Sequence, residues 1–378
     1  SGLDVALRGR AAATSSFCVI GAFWIALAVA LGIGALTGLV IDDPWDRGDM
    51  THDAMAYSLA ACMSCLAVAQ TDEYARLRRS TWCLIVLGNA SLAVQILAGF
   101  GLISIPGVNP WYWDRFRGWS ENPNQLALYC AAFGPLSLHL ASTSQRWTGR
   151  VLGGLGVILP IVAGRLSRSD TFLLATLAML SVLIALRLIT WLRAPHRRLR
   201  FAAAILLIIG LPPIAFSMLP FGMAMADDAE MFALSLAKDK GGEATVQTAN
   251  LRFFLWDQAT RRGLQSLSLG LGPGPHLERP PVTNEQSLPR PFEAHSTFLD
   301  LFTQGGALAV LALLALFTSV IVFTGRGGLD ALAALAISLL VFGVTHFILR
   351  HPITWFVISL CLVASLERAP EAPTERGR

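Results

Sequence analysis

The sequence contains little charge for its length. Of its 378 residues 14% are charged and 54% are hydrophobic, whereas a soluble protein of this size has about 25% charged residues. Mean hydropathy is +0.57, and apolar runs of roughly twenty residues recur from Phe17 to Val363. These values exclude an ordinary soluble fold and a disordered chain. They predict an all-α polytopic membrane protein.

Lysine is almost absent from this chain. Lys238 and Lys240 are the only lysines among 29 basic residues, and the others are arginines. The formal net charge is only +4, and the charged residues are dispersed along the chain. A nucleic-acid surface would need a larger and more clustered positive charge. We therefore expect no nucleic-acid partner.

The sequence also lacks the features of a disulfide scaffold and of the familiar soluble enzymes. All six cysteines lie within or beside apolar runs, so a disulfide framework is not expected. Neither a GxxxxGK[ST] loop nor an HExxH, GxSxG or EF-hand motif is present. No group of carboxylates and histidines has metal-ligand spacing, and we expect neither a metal nor another cofactor.

Hydropathy predicts about ten transmembrane helices and one long, partly helical loop. The predicted spans are 15–40, 54–70, 81–105, 124–143, 150–165, 169–192, 200–222, 304–325, 329–348 and 352–366. Three parts follow from this pattern: an N-terminal bundle of about seven spans (1–222), a loop subdomain (223–294), and C-terminal helices with a tail (295–378). Within the loop, residues 251–264 have a helical pattern.

The loop arginines predict the orientation. With a cytoplasmic N-terminus, fifteen arginines fall in cytoplasmic segments and six in the opposite short loops. Positive residues concentrate on the cytoplasmic side of membrane proteins. Both termini are therefore expected in the cytoplasm and the long loop outside.

Two arginines on the outer side are candidate ligands for a phosphate, since guanidinium groups offer a rigid fork of donors. Arg168 lies in Ser-Arg-Ser-Asp between the fifth and sixth spans, with Arg165 just before it. It could instead snorkel to the interface or pair with Asp170. Arg252 lies among aromatic residues that end at Trp256, and this segment could instead be an interfacial aromatic belt.

Two further outer-side segments carry candidate polar groups. His295 and Ser296 lie where the long loop re-enters the membrane, and a histidine there could act as a base near neutral pH. It could equally be a hydrogen-bonded structural residue. Asn124 and Gln125 begin the fourth span and could face a polar cavity, or the segment could simply cap the helix through Asn122.

Taken in order, these segments resemble the O-antigen ligase and O-antigen polymerase superfamily, which are bacterial inner-membrane glycosyltransferases of GT-C-like type. The resemblance lies in five segments: 119–129, 167–172, 250–256, 270–275 and 295–306. The family pattern of a His, then Asn, Ser or Gln, nine residues and Gly is met by His295, Ser296 and Gly306. Members often have about twelve spans, and Ala309 stands where ligases often have Gly, Thr or Tyr.

The resemblance implies a metal-independent and inverting transfer of a glycan from undecaprenyl diphosphate, at the periplasmic face. It implies that Arg168 and Arg252 bind the diphosphate and that His295 engages the acceptor hydroxyl. Beside these residues, we expect Arg165, Asn124, Gln125, Trp256 and Ser296 to contact the substrates. The acceptor would be lipid A–core in a ligase, which we favour, or a second lipid-linked glycan in a polymerase. A transporter or flippase for an anionic lipid and a non-enzymatic assembly partner are the alternatives from other classes.

Overall fold

The structure is a computed structural model that describes residues 15–41, 47–69, 73–193, 243–278 and 292–367. These residues form eleven α-helices and one short antiparallel hairpin. The helices are α1 (Ser15–Ile41), α2 (Arg47–Val68), α3 (Glu73–Gly99), α4 (Pro123–Thr143), α5 (Trp147–Leu155), α6 (Ile158–Leu166), α7 (Asp170–Arg193), α8 (Glu243–Gln265), α9 (Thr297–Arg326), α10 (Asp330–Thr345) and α11 (Pro352–Glu367). The hairpin strands are β1 (Trp111–Tyr112) and β2 (Arg115–Phe116).

The described helices confirm an all-α polytopic membrane protein. Six spans are long and apolar enough to cross a membrane: α1, α3, α4, α5 together with α6, α7 and α9. The apolar helices α10 and α11 are shorter, at 16 residues each. Nine of the ten predicted spans fall on described helices, although α2 is not among the six. The predicted span 200–222 and the tail lie outside the described residues, and the three-part division of the chain stays a prediction.

The core lies where α1, α2, α4, α9, α10 and α11 meet. Trp355 of α11 is buried, and its ring centroid lies 4.4 Å from that of Trp24 of α1. The Trp24 indole donates to Ser64 of α2 at 2.8 Å, which gives its buried N–H a partner. Aromatic packing and this hydrogen bond thus hold three helices together.

A break in α9 shapes the end of the molecule at which α9 begins. Gly306 has φ 65° and ψ −162°, a conformation essentially restricted to glycine, and a Cβ there would collide with the Ser268 carbonyl oxygen. The loop after α8 supplies hydrogen bonds at the break, from Leu271 N to Thr303 O and from Gly272 N to Gln304 O, both 2.8 Å. This glycine-rich loop (270–275) therefore packs against the break and fixes the direction of the first turns of α9.

Candidate active site

His295 is held in an unusual backbone conformation by a carboxylate. Its φ is 53°, and the amides on either side donate to Asp300, Ala294 N to Oδ1 at 2.7 Å and Ser296 N to Oδ2 at 3.0 Å. The Trp256 indole donates to the Ala294 carbonyl at 3.1 Å. Left-handed backbone at a residue other than glycine costs free energy and is often found at functional sites. These contacts present the imidazole at the entrance to α9.

The surroundings of His295 favour the uncharged form of its ring, because they lower its pKa. The residue retains solvent access, but the protein around it lowers the pKa of the imidazole by desolvation. Glu293 raises that pKa in part, and the cations Arg252 and Arg350 lower it again. A ring without its proton can accept one from a hydroxyl, which the predicted role of His295 requires.

Arg168 also has left-handed backbone, with φ 47°, and pairs with Asp114 at the tip of the hairpin. The ion-pair partner of Arg168 is thus Asp114, whereas the sequence analysis had offered Asp170. The Arg168 side chain is 64% exposed, and an exposed ion pair is worth at most about 1 kcal/mol. An incoming phosphate could therefore replace Asp114 at small cost.

Arg115, on the same hairpin, was not predicted from the sequence as a ligand of the diphosphate. Its Nε donates to the Ser167 carbonyl at 3.1 Å and its Nη2 donates to Asn124 Oδ1 at 2.9 Å. It therefore joins the hairpin to the loop before α7 and to the start of α4. The signals in the sequence are its place in a short loop between two predicted spans and the aromatic residues around it.

Arg252 lies close enough to Arg115 for the charge of Arg115 to act on it. Desolvation lowers the pKa of both guanidinium groups, that of Arg252 is lowered further by Arg115, and Asp170 partly offsets this for both. Within the described part of the chain, no hydrogen bond or ion pair is made by the Arg252 guanidinium. A half-buried cation beside a second cation is an arrangement that a bound anion would stabilise.

His346 is a second imidazole beside this group. Its carbonyl accepts from Thr297 N and from Thr297 Oγ1 at 3.2 and 2.6 Å, which joins the α10–α11 connection to the start of α9. Desolvation, with Arg252 as the largest charge effect, lowers its pKa to about 3. His346 is therefore neutral at any ordinary pH. His351, the other outer-side histidine in this connection, contacts the Tyr129 ring edge-on, and desolvation lowers its pKa.

The structure also shows the hydrogen bonds or the solvent exposure of other predicted site residues. Gln125 accepts from Glu121 N at 3.2 Å and Asn122 caps α4 by accepting from Gln125 N, so the capping interpretation of this segment is confirmed. Ser296 is buried and Arg165 is exposed. Whether these residues, Asn124 and Trp256 contact substrate stays a prediction.

An ion-pair network beside His295 joins distant parts of the chain. Arg350 Nη2 lies 2.6 Å from Asp53 of α2 and 2.6 Å from Glu293. Gln304 of α9 donates to Asp53 at 3.4 Å and accepts from Tyr57 at 2.6 Å. A cavity of about 390 Å³ opens here, and His295 forms part of its wall.

Two comparisons with known proteins bear on this site. A family model described as O-antigen ligase matches residues 155–314, which include Arg168, Arg252, His295 and Gly306. No curated protein matches the chain. Arg115, Asp53 and Arg350 lie outside the matched range, whereas Glu293 and Gln304 lie within it.

Proposed function

We propose, from the match of residues 155–314 to the O-antigen ligase family model, that this chain is an O-antigen ligase of the O-antigen ligase and polymerase superfamily. In this proposal it transfers a glycan from undecaprenyl diphosphate to a hydroxyl of lipid A–core, at the periplasmic face of the bacterial inner membrane. The observation that carries the proposal is the position of Arg252, which lies beside Arg115 and has no partner among the described residues, next to the neutral His295.

The arginines suit the leaving group of this reaction. When the bond between the anomeric carbon and the phosphate oxygen breaks, its electron pair stays on the diphosphate, where negative charge grows. Preplaced guanidinium groups stabilise such charge without reorganising, and each donor of this kind is worth roughly 2.7–4 kcal/mol. Arg252 and Arg115 are half-buried, which strengthens their interaction with an anion compared with that in bulk water. Arg168 is more exposed and would bind the outer phosphate oxygens.

His295 suits the acceptor side of the same step. The acceptor oxygen attacks the anomeric carbon from the face opposite the diphosphate, and its proton passes to the unprotonated ring nitrogen of His295. A single displacement inverts the anomeric centre. A positioned base of this kind contributes about 10²–10⁴-fold to the rate. The Asp300 clamp on both neighbouring amides holds the ring in place for it.

The membrane architecture supports the choice of donor. The apolar helices keep the protein in the bilayer, where a polyprenyl tail would also lie. The arginine distribution predicts that the site faces the periplasm. That compartment supplies no nucleotide sugars, so a lipid-linked diphosphate would provide the energy of transfer.

Ligase and polymerase differ in the molecule that presents the hydroxyl. We favour the ligase because the His295, Ser296 and Gly306 spacing follows the ligase pattern, and because the long outer loop leaves room for a large acceptor. The test supplies purified protein with one lipid-linked glycan, together with lipid A–core in one reaction and with additional lipid-linked glycan in another. Mass spectrometry should find glycan on lipid A–core. Longer glycans on the carrier lipid, with the core unmodified, would identify a polymerase instead.

A transporter of an anionic lipid would use the same arginines without breaking a bond. The transfer proposal predicts free undecaprenyl diphosphate in step with each linked glycan. A protein that moves labelled donor between leaflets and releases no undecaprenyl diphosphate would be a flippase.

A further inference from the structure

His295 lies close to charged groups of both signs, because the charges of Arg252 and Glu293 both act on its imidazole. Arg252 and Arg115 are the cations proposed to bind the diphosphate, and neither lines the 390 Å³ cavity. The charged residues of the cavity wall are instead Asp49, Asp53, Glu293 and Arg350. Three carboxylates against one guanidinium make this wall net negative.

The cavity is assembled from four separate segments. The N-terminal turns of α2 contribute Asp49, His52 and Asp53, and the α10–α11 connection contributes Arg350. Pro275 comes from the glycine-rich loop, and Phe292 with Glu293 comes from the segment before α9. The backbone of Phe292 is fixed by two hydrogen bonds to Leu277, of 3.0 and 2.7 Å. At 390 Å³ the volume lies at the lower end of the range for ligand pockets.

The ion pairs among the wall residues determine which carboxylates remain available to accept a hydrogen bond from a ligand. Arg350 contacts both Asp53 and Glu293 at 2.6 Å, so its positive charge is already compensated. Asp49 is partly exposed in the first turn of α2, and no ion pair to it is present among the described residues. A phosphate or carboxylate entering this cavity would meet like charge. A hydroxyl group would instead donate to a carboxylate, a hydrogen bond worth more than one between neutral groups.

We propose that this cavity binds the acceptor sugar through its hydroxyl groups, and that the ring held there is an uncharged sugar. Asp49 accepts a hydrogen bond from one hydroxyl, and the Phe292 side chain lies against the apolar face of the ring. A neighbouring hydroxyl then faces His295, with the diphosphate on the opposite side of the imidazole. This inference rests on the proposed transfer function and adds to it the chemical class of acceptor.

The experiment compares Asp49→Asn with wild type in the transfer assay. We expect the KM for the acceptor to rise about tenfold, because a charged hydrogen-bond acceptor is lost, while kcat and the KM for the lipid-linked donor stay the same. The matched control is Asp257→Asn, which removes an exposed carboxylate of α8 that pairs with Arg261. An unchanged acceptor KM in Asp49→Asn would overturn the proposal.

Inhibition by two small sugars tests the charge preference separately. Methyl glucoside should compete with the acceptor in wild type and should compete more weakly in Asp49→Asn, whereas glucose 6-phosphate should be a poorer competitor in wild type. Stronger competition by glucose 6-phosphate would contradict an uncharged sugar site. Failure of the transfer function itself looks different, because wild type would then form no linked glycan with any acceptor.

Discussion

Replacing Arg252 by alanine tests the diphosphate site and the base in one protein. Arg252 is half-buried, lies beside Arg115, and has no hydrogen-bond or ion-pair partner among the described residues. Its loss should therefore leave no carboxylate without a partner and cost little stability. Losing one preorganised donor to a developing oxyanion lowers kcat by about 10²–10³-fold, and we expect a decrease of that size. Lysine should restore only part of the rate, since a point charge cannot reproduce the fork.

The same substitution should change the pH profile. Activity requires neutral His295 and is lost as the pH falls through the pKa of the ring, which Arg252 helps to hold below its usual value of about 6.5. Without Arg252 that pKa rises, so the loss of activity should begin at a higher pH. The assay measures initial transfer rates from pH 4.5 to 8, with Arg261→Ala as the control on the same helix. Turnover like that of wild type, or an acid limb that does not move, would refute the reasoning.

Three further substitutions, one of them with a matched control, test the geometry. Arg168→Ala should abolish or severely reduce transfer at a normal protein level in the membrane, whereas Arg165→Ala should have a smaller effect. Equal losses in the two variants would remove the special role of Arg168. Gly306→Ala should lower thermal stability in detergent by the equivalent of about 1–3 kcal/mol, because alanine cannot adopt the observed backbone without strain; an unchanged melting temperature would contradict the break in α9. Asp300→Ala should reduce kcat more than donor affinity because it releases the amides beside His295, and an unaffected kcat would show that the clamp is not needed.

The helices were predictable where apolar residues fill them. The fourth span was predicted at 124–143 and is observed at Pro123–Thr143, because an apolar run and a proline at its start coincide. The third was predicted at 81–105 but begins at Glu73, because its first turns carry Arg76, Arg78 and Arg79 and hydropathy does not register an amphipathic helix end. The eighth was predicted to begin at 304 and begins at Thr297, since the polar residues before Gly306 are helical too.

The candidate site was predictable only where its residues share a motif. His295, Ser296 and Gly306 lie in one segment, and the structure supplies the physical reason for Gly306 in its backbone and its contact with Ser268. The pairing of Arg350 with Asp53 joins residues 297 positions apart. No local pattern encodes such a contact, because it depends on how α2 packs against α11. The contacts of Arg115 with Ser167 and Asn124 were not predictable for a related reason, since they depend on a hairpin too short to show an alternating pattern.

The most direct test of the central claim is a single-turnover assay of wild type and His295→Ala with radiolabelled lipid-linked glycan and lipid A–core. Both proteins should bind the donor with similar affinity, because the cations that hold the diphosphate are present in each. Wild type should release one undecaprenyl diphosphate for each glycan linked to the acceptor, and His295→Ala should release almost none. Full transfer by His295→Ala, or donor consumption by wild type without release of the diphosphate, would contradict the account.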